Sequence, residues 1–411
     1  MTILALISVL FTTAALFGWI GTRWLRLPIT IGTMLLTVVV SIGLIAAGGP
    51  APGIHGWALD LVRHIDFESL ILRGMLPLLL FAGAFMLDLE ALAREKLAVA
   101  LLSVAGTAIC FILVAALMAL LAGSGIPWMQ CLLFGALISP TDPIAVLEML
   151  RRVGVPKLLQ AQLAGESLFN DGIGAVLFLT LLEVAHGHAP TPWQVAGLLA
   201  VKAGGGVLAG LLAALATSQL MRRVNAYQVD ILFTIALALG GYALADALHL
   251  SAPLEAVVAG IALRHFNHLV PRENIAHESI DGFWKVIDEI QNSILFVLLG
   301  LEALAITLDA ATLRAGMVAI LSVNAVRFLA VTGLLALVRL FHRGHQSSAF
   351  VLTWGGLRGG LSIALALSVP EALGRSWIVG ATYLVVVFSI VFQGGSMNWL
   401  LHRWNRRQTA A

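Results

Sequence analysis

Apolar residues recur along the chain in runs of about 20, the length that carries a helix across the hydrocarbon core of a bilayer, separated by short connectors that hold most of the charge. Thirteen such runs can be marked, at about residues 3–22, 29–48, 69–89, 97–122, 128–149, 158–184, 192–217, 229–249, 253–270, 283–306, 311–338, 347–369 and 376–400. The pattern predicts an all-α polytopic membrane protein of about thirteen transmembrane helices. Spans of about 21 residues leave near ten residues for each connector. That is too little for a separate soluble, catalytic or nucleic-acid-binding domain. The first run, Ile3 to Gly21, has its nearest positive charges behind it, at Arg23 and Arg26, where a cleaved leader would carry them in front. It reads as a retained span.

Composition agrees. Of 411 residues, 60% are hydrophobic and 11% charged, against about 25% charged in a soluble protein. The net charge of +2 says little, but the positions of the basic residues say more. If connectors alternate between the two sides, 17 of the 24 Lys and Arg residues fall in or beside those after odd-numbered spans and 4 after even-numbered ones, with Lys202, Arg327 and Arg358 inside spans. Positive charge collects on the cytoplasmic side, so the N-terminus is expected outside and the C-terminus in the cytoplasm. Trp24, Trp128, Trp193, Trp284, Trp377 and Trp404 lie near expected span ends, where an amphipathic ring suits the headgroup layer. Cys110 and Cys131, both inside apolar runs, offer neither a disulfide framework nor a zinc cluster.

A charge at mid-bilayer costs about 3 kcal/mol or more, so ionisable residues inside spans point to chemistry. The fifth span contains Ser139-Pro140-Thr141-Asp142-Pro143 near its middle. Two prolines three apart remove backbone donors and clash with the preceding turn. The helix should break here, with Pro143 opening a second half and Asp142 or Thr141 as its N-cap. The sixth span contains GESLFNDGIG, Gly165 to Gly174, in which Glu166, Ser167, Asn170 and Asp171 share one 140° sector while Leu168, Phe169 and Ile173 point largely elsewhere. The twelfth contains WGGLRGGLS, Trp354 to Ser362, with four glycines around Arg358. Spans five and twelve are an odd number apart and run in opposite directions, as in an inverted-topology repeat whose interrupted helices cross at the site. Residues 1–184 and 229–400 would be the repeats and 192–217 a linking span. Arg327, deep in the eleventh span, needs an acid partner, and both Glu166 and Asp142 qualify. Gly204, Gly205, Gly206 and Gly210 in the seventh span suggest close helix packing.

SPTDP, GESLFNDG, the arginine of the eleventh span and TWGGLRGGLSIALAL together resemble the NhaP-type and eukaryotic sodium/proton exchangers of the first cation:proton antiporter family. The stretch Phe283 to Glu302 is similar to that family's tenth span, with Asn292, Phe296 and Gly300 matching. Lys285 and Glu255 depart from the usual residues. The resemblance implies thirteen spans with a core domain moving against a dimerisation domain. It also implies a cation and proton site at Asn170-Asp171, with Ser167, Asp142 and Thr141 near the ion and Glu166 and Arg327 as a stabilising pair. Pro140, Pro143, Arg358 and Gly359 would form the helix crossing, and Asp171, Ser167 and Thr141 would hold Na+. Relatives with two adjacent aspartates exchange two protons per sodium. Asn170 is neutral, so electroneutral one-for-one exchange of Na+ or Li+ for H+ is expected, in a homodimer of a prokaryotic inner membrane, with lipid as the surroundings and no cofactor, nucleic acid or soluble partner. Potassium/proton exchange shares every motif. A channel or an intramembrane hydrolase fits less well, because no pore loop and no serine, histidine or zinc constellation is visible.

Overall fold

The structure, a computed structural model, describes residues 3–25, 29–47, 69–122, 125–186, 192–224, 226–268, 274–302, 309–341 and 348–408. Of the basic residues counted above, Arg26, Arg63, Arg272 and Arg343 fall outside them. The described chain is almost wholly helical, and a helix coincides with each of the thirteen apolar runs. The helices Lys157–His186, Pro192–Met221 and Ala310–Phe341 are long enough to cross a bilayer without interruption. Other spans are composites that pass through a short π-helical stretch. Leu101–Gly106 links Lys96–Ala100 to Thr107–Leu121, and Ser389–Gly394 links Arg375–Phe388 to Gly395–Gln408.

The largest difference from the sequence-based bounds is at Asn274–Glu302, which begins well before the expected residue 283. Its first turns are polar and give no hydropathy signal. The helix is still anchored there, because Ile280 and Trp284 are buried and the Trp284 indole donates to Thr234 Oγ1 at 3.0 Å.

Burial follows lipid logic. Pro192–Met221 packs one side on Ala252–His268 and leaves Val201, Leu208, Leu212 and Leu215 exposed on the other. Apolar surface of that extent is stable only against lipid or another protein. Of the four glycines of this helix, Gly205, Gly206 and Gly210 lie on its packed side, where a side chain at Gly206 or Gly210 would run into the backbone oxygens of Ser251 or Glu255, whereas Gly204 is exposed with nothing within 4 Å and takes no part in the packing. Lys202 stays beside that seam and pairs with Glu183, with Oε2 at 2.7 Å.

The fifth and twelfth runs are the broken helices. Trp128–Ile138 stops and Ile144–Val153 resumes; Ala349–Gly355 stops and Gly360–Leu367 resumes. The two extended interruptions meet side by side in an antiparallel bridge between Asp142 and Leu357. Around them Ala310–Phe341 packs on Arg375–Phe388, and Thr107–Leu121 on Trp128–Ile138, so the crossing lies inside the protein.

Candidate functional site

Broken backbone in an apolar interior is tolerated only if every freed group finds a partner. Between the two prolines the free donors are the amides of Thr141 and Asp142. The Thr141 N–H donates to Asn170 Oδ1 at 3.1 Å, and the Asp142 N–H to the Leu357 carbonyl at 2.8 Å. On the acceptor side, Nη1 of Arg358 reaches the carbonyls of Ser139 and Pro140, the latter at 2.6 Å. The guanidinium thereby satisfies the open end of Trp128–Ile138 and opposes the negative pole of its dipole. One correction follows for the expected cap. The second half-helix starts at Ile144, with Pro143 as N-cap and no side-chain capping bond. The bridge to Leu357 holds Asp142 in extended backbone, so neither it nor Thr141 caps that helix.

Two glycines make the crossing possible by close approach. A side chain at Gly359 would overlap the Asp142 side chain, and one at Gly356 would overlap the Arg327 guanidinium. The Asp142 carboxylate thus lies against Gly359, at the N-terminus of Gly360–Leu367, where a negative charge is favoured.

The polar face of Lys157–His186 divides its work. Asn170 donates from Nδ2 to Thr141 Oγ1 at 2.8 Å while accepting the Thr141 amide, so both ends of its side chain hold the broken segment. Ser167 shares a 2.8 Å hydrogen bond with Thr141 Oγ1. Glu166 points to the other side of the face, where Oε1 lies 2.7 Å from Nη1 of Arg327, and Nη2 of Arg327 also donates to the Leu352 carbonyl at 3.2 Å. The structure therefore joins Arg327 to Glu166, and not to Asp142.

Asp171 is different. The charged groups acting on it are Asp142 and Arg358, and among the described residues none donates a hydrogen bond to its carboxylate. It lines a cavity of about 440 Å³ together with Thr141, Asp142, Gly359 and Ser362. Ser167, Asn170 and Glu166 are buried behind that lining. Leu168 does line the cavity, contrary to its expected direction, because it is only 60° from Asp171 around the helix.

Exposed Arg151, Lys285 and Glu289, half-buried Asp288 and buried Asn292 complete the cavity lining. Sequence reasoning gave them no part in the site. The available signal was the i, i+4 spacing of Asp288 and Asn292, and Asn292 Nδ2 indeed donates to Asp288 Oδ1 at 3.1 Å. Asn324, Ser389 and Gln393, polar residues within apolar runs, were likewise passed over, although a buried amide is itself a signal.

Residues 11–403 match the sequence pattern of the family described as "Sodium/hydrogen exchanger, transmembrane". The chain belongs to this family. Among exchanger-family relatives, it is 38% identical to the Na(+)/H(+) antiporter NhaP of Pseudomonas aeruginosa, over 97% of this chain and 96% of that protein. It is 31% identical to the Na(+)/H(+) antiporter NhaH of Halobacillus dabanensis, over 89% and 90%. The fold matches that of the sodium proton antiporter MjNhaP1 from Methanocaldococcus jannaschii at pH 8, with a TM-score of 0.75 at 20% identity, over 98% of this chain and 99% of that one. The exchanger-family chain is thus a multi-pass membrane transporter.

Proposed function

We propose that the protein exchanges one Na+, or Li+, for one H+ across the membrane by alternating access, with Asp171 as the group that both ions occupy in turn. The observation that carries this reading is the division of the buried charges. Arg327 takes up the charge of Glu166, Asn170 is neutral and committed to Thr141, and Asp171 faces the cavity with no donor on it among the described residues.

A hard monovalent cation takes oxygen ligands. Asp171, Asp142 and Thr141, which carry carboxylate and hydroxyl oxygens, line the cavity, and the Ser167 hydroxyl lies one hydrogen bond from that of Thr141. A bare carboxylate crossing the interior carries the desolvation cost of an isolated charge, whereas the Na+-bound or protonated form does not. The carrier then crosses only when loaded, and obligatory exchange follows. Each crossing carries a neutral pair, so transport is electroneutral. Sodium is favoured over potassium because the similar NhaP and NhaH proteins are named sodium/proton antiporters.

Arg151, Lys285 and Glu289 belong to the side that the charge distribution assigns to the cytoplasm, so the cavity is open inward. The two broken helices support the inverted repeat of residues 1–184 and 229–400, with 192–217 between them as the link. The wide apolar face of Pro192–Met221 supports a homodimer, the similarity to the Pseudomonas aeruginosa NhaP a prokaryotic inner membrane, and the distribution of basic residues an N-terminus outside. No cofactor enters the exchange cycle.

The test is purified protein in proteoliposomes with an internal pH dye. Na+ or Li+ added outside should alkalinise the lumen at a rate that a valinomycin clamp leaves unchanged, and Asp171→Asn should abolish the response. A comparable response to K+ alone would move the assignment to potassium, and a strong voltage dependence would exclude one-for-one exchange.

A further inference from the structure

Gln393 and Asn324 sit in apolar spans, where a side-chain amide must find its partners inside the protein. Gln393 is 3% exposed and lies in the π-helical stretch Ser389–Gly394. Side chains four residues apart on a helix point in nearly the same direction. Ser389 and Gln393 use this geometry, the Ser389 hydroxyl donating to Gln393 Oε1. From Gln393, Nε2 donates to Asn324 Oδ1 at 2.7 Å, and Asn324 Nδ2 donates to the Ile320 carbonyl at 2.8 Å. At the other end, Ser389 Oγ accepts the backbone N–H of Arg358 at 3.0 Å. The result is one unbroken donor-to-acceptor run from the backbone of the crossing to the helix Ala310–Phe341, entering it three residues before Arg327.

The run completes the support of the extended segment at residues 356–359. Leu357 and Arg358 share one trans peptide group, whose C=O and N–H point to opposite edges of the segment. On one edge the Leu357 carbonyl accepts the Asp142 amide, which locates the Thr141-Asp142 turn. On the other edge the Arg358 amide is taken by Ser389, and the run continues to the helix whose Arg327 holds Glu166 on the span that carries Asp171. The Asp142 side of the cavity and the Asp171 side are thereby joined through a closed circuit of named bonds.

We propose that Ser389, Gln393 and Asn324 are positioning residues for the cation site, a latch that fixes the crossing relative to the helix bearing Arg327 and so sets the placement of Asp142 against Asp171. The role rests on the exchange reading above. It makes the latch a determinant of cation binding more than of turnover, because its bonds lie within the packed helices around the crossing and not across the cavity.

The experiment compares Ser389→Ala, Ser389→Thr, Gln393→Leu and Gln393→Glu with the unaltered protein and Asp171→Asn in proteoliposomes. Ser389→Ala and Gln393→Leu should raise the half-saturating Na+ concentration about five- to tenfold, the equilibrium equivalent of one lost buried hydrogen bond, with the maximal rate within a factor of about two. Threonine keeps the hydroxyl and should restore normal half-saturation. Glutamate keeps the acceptor for Ser389 and lets Asn324 turn its amide toward it, so it should fall between leucine and the unaltered protein. Independently of transport, deuterium uptake of a peptide spanning residues 354–362, measured in nanodiscs without Na+, should rise in Ser389→Ala and Gln393→Leu and not in Ser389→Thr. Unchanged half-saturation together with unchanged uptake in the alanine and leucine variants would overturn the latch. Loss of maximal rate and half-saturation in equal measure, without threonine rescue, would reduce it to a folding contact. If the unaltered protein shows no Na+-driven alkalinisation, the exchange reading fails while the uptake comparison still decides whether the latch holds the crossing.

Discussion

Nη1 of Arg327 lies 2.7 Å from Oε1 of Glu166, with side-chain exposures of 6% and 1%, so two full charges are held in the apolar interior by each other. The guanidinium also caps the Leu352 carbonyl at the first half of the second broken helix. The pair therefore links the span carrying Asp171 to the crossing as well as cancelling charge. Removing one partner strands the other, which typically costs about 3–5 kcal/mol. Arg327→Leu should lower the melting temperature in detergent far more than Arg327→Leu combined with Glu166→Leu. Equal destabilisation by the single and double variants would refute the pairing.

Protons and Na+ compete for the Asp171 carboxylate in the proposed cycle. Lowering the pH must therefore raise the Na+ concentration needed for half-maximal exchange, by about tenfold per pH unit once protonation dominates, while the maximal rate at saturating Na+ stays the same. Initial rates across a Na+ series at several pH values test this. A maximal rate that falls with pH at constant half-saturation would place the proton on a different group.

Gly359 has φ −110° and ψ −163°, extended backbone that alanine adopts without strain. Its constraint is contact alone, since an added methyl would overlap Asp142. Overpacking of this kind costs about 1–3 kcal/mol. Gly359→Ala should leave a folded, monodisperse protein with a raised half-saturating Na+ concentration. Gly333, beside which nothing lies within 4 Å, is the matched control and should tolerate alanine.

Asn170 and Lys202 make opposite predictions although both are polar residues in spans. Asn170→Ala leaves the buried Thr141 amide without its partner and the Thr141 hydroxyl with Ser167 alone, a loss of about 1–3 kcal/mol for the unmet amide, and should cost most of the exchange. Lys202 pairs with a Glu183 side chain that is 58% exposed, and exposed pairs contribute about 0–1 kcal/mol. Lys202→Met should exchange at the normal rate in the same vesicles.

The sequence by itself determined the helices and the breaks. Runs of about 20 apolar residues admit only spans in a bilayer, and Pro140 with Pro143 cannot continue a helix. The face shared by Glu166, Ser167, Asn170 and Asp171 follows from helical periodicity, because one continuous helix fixes their directions whatever surrounds it. What each of them does there was decided by partners remote in sequence. Glu166 and Asp142 were equally available to Arg327 until the fold brought Glu166 within reach of its guanidinium. Leu168 lines the cavity together with Pro140, Asp142 and Gly359, which other spans bring to its side of the helix. The lining residues Arg151, Lys285 and Asp288, and the run through Ser389, Gln393 and Asn324, come from spans far apart in the chain, and only their packing makes them neighbours. Local pattern sets the direction of a side chain on its own helix, whereas what it meets depends on how the helices are placed, and that placement is a property of the whole assembly of spans.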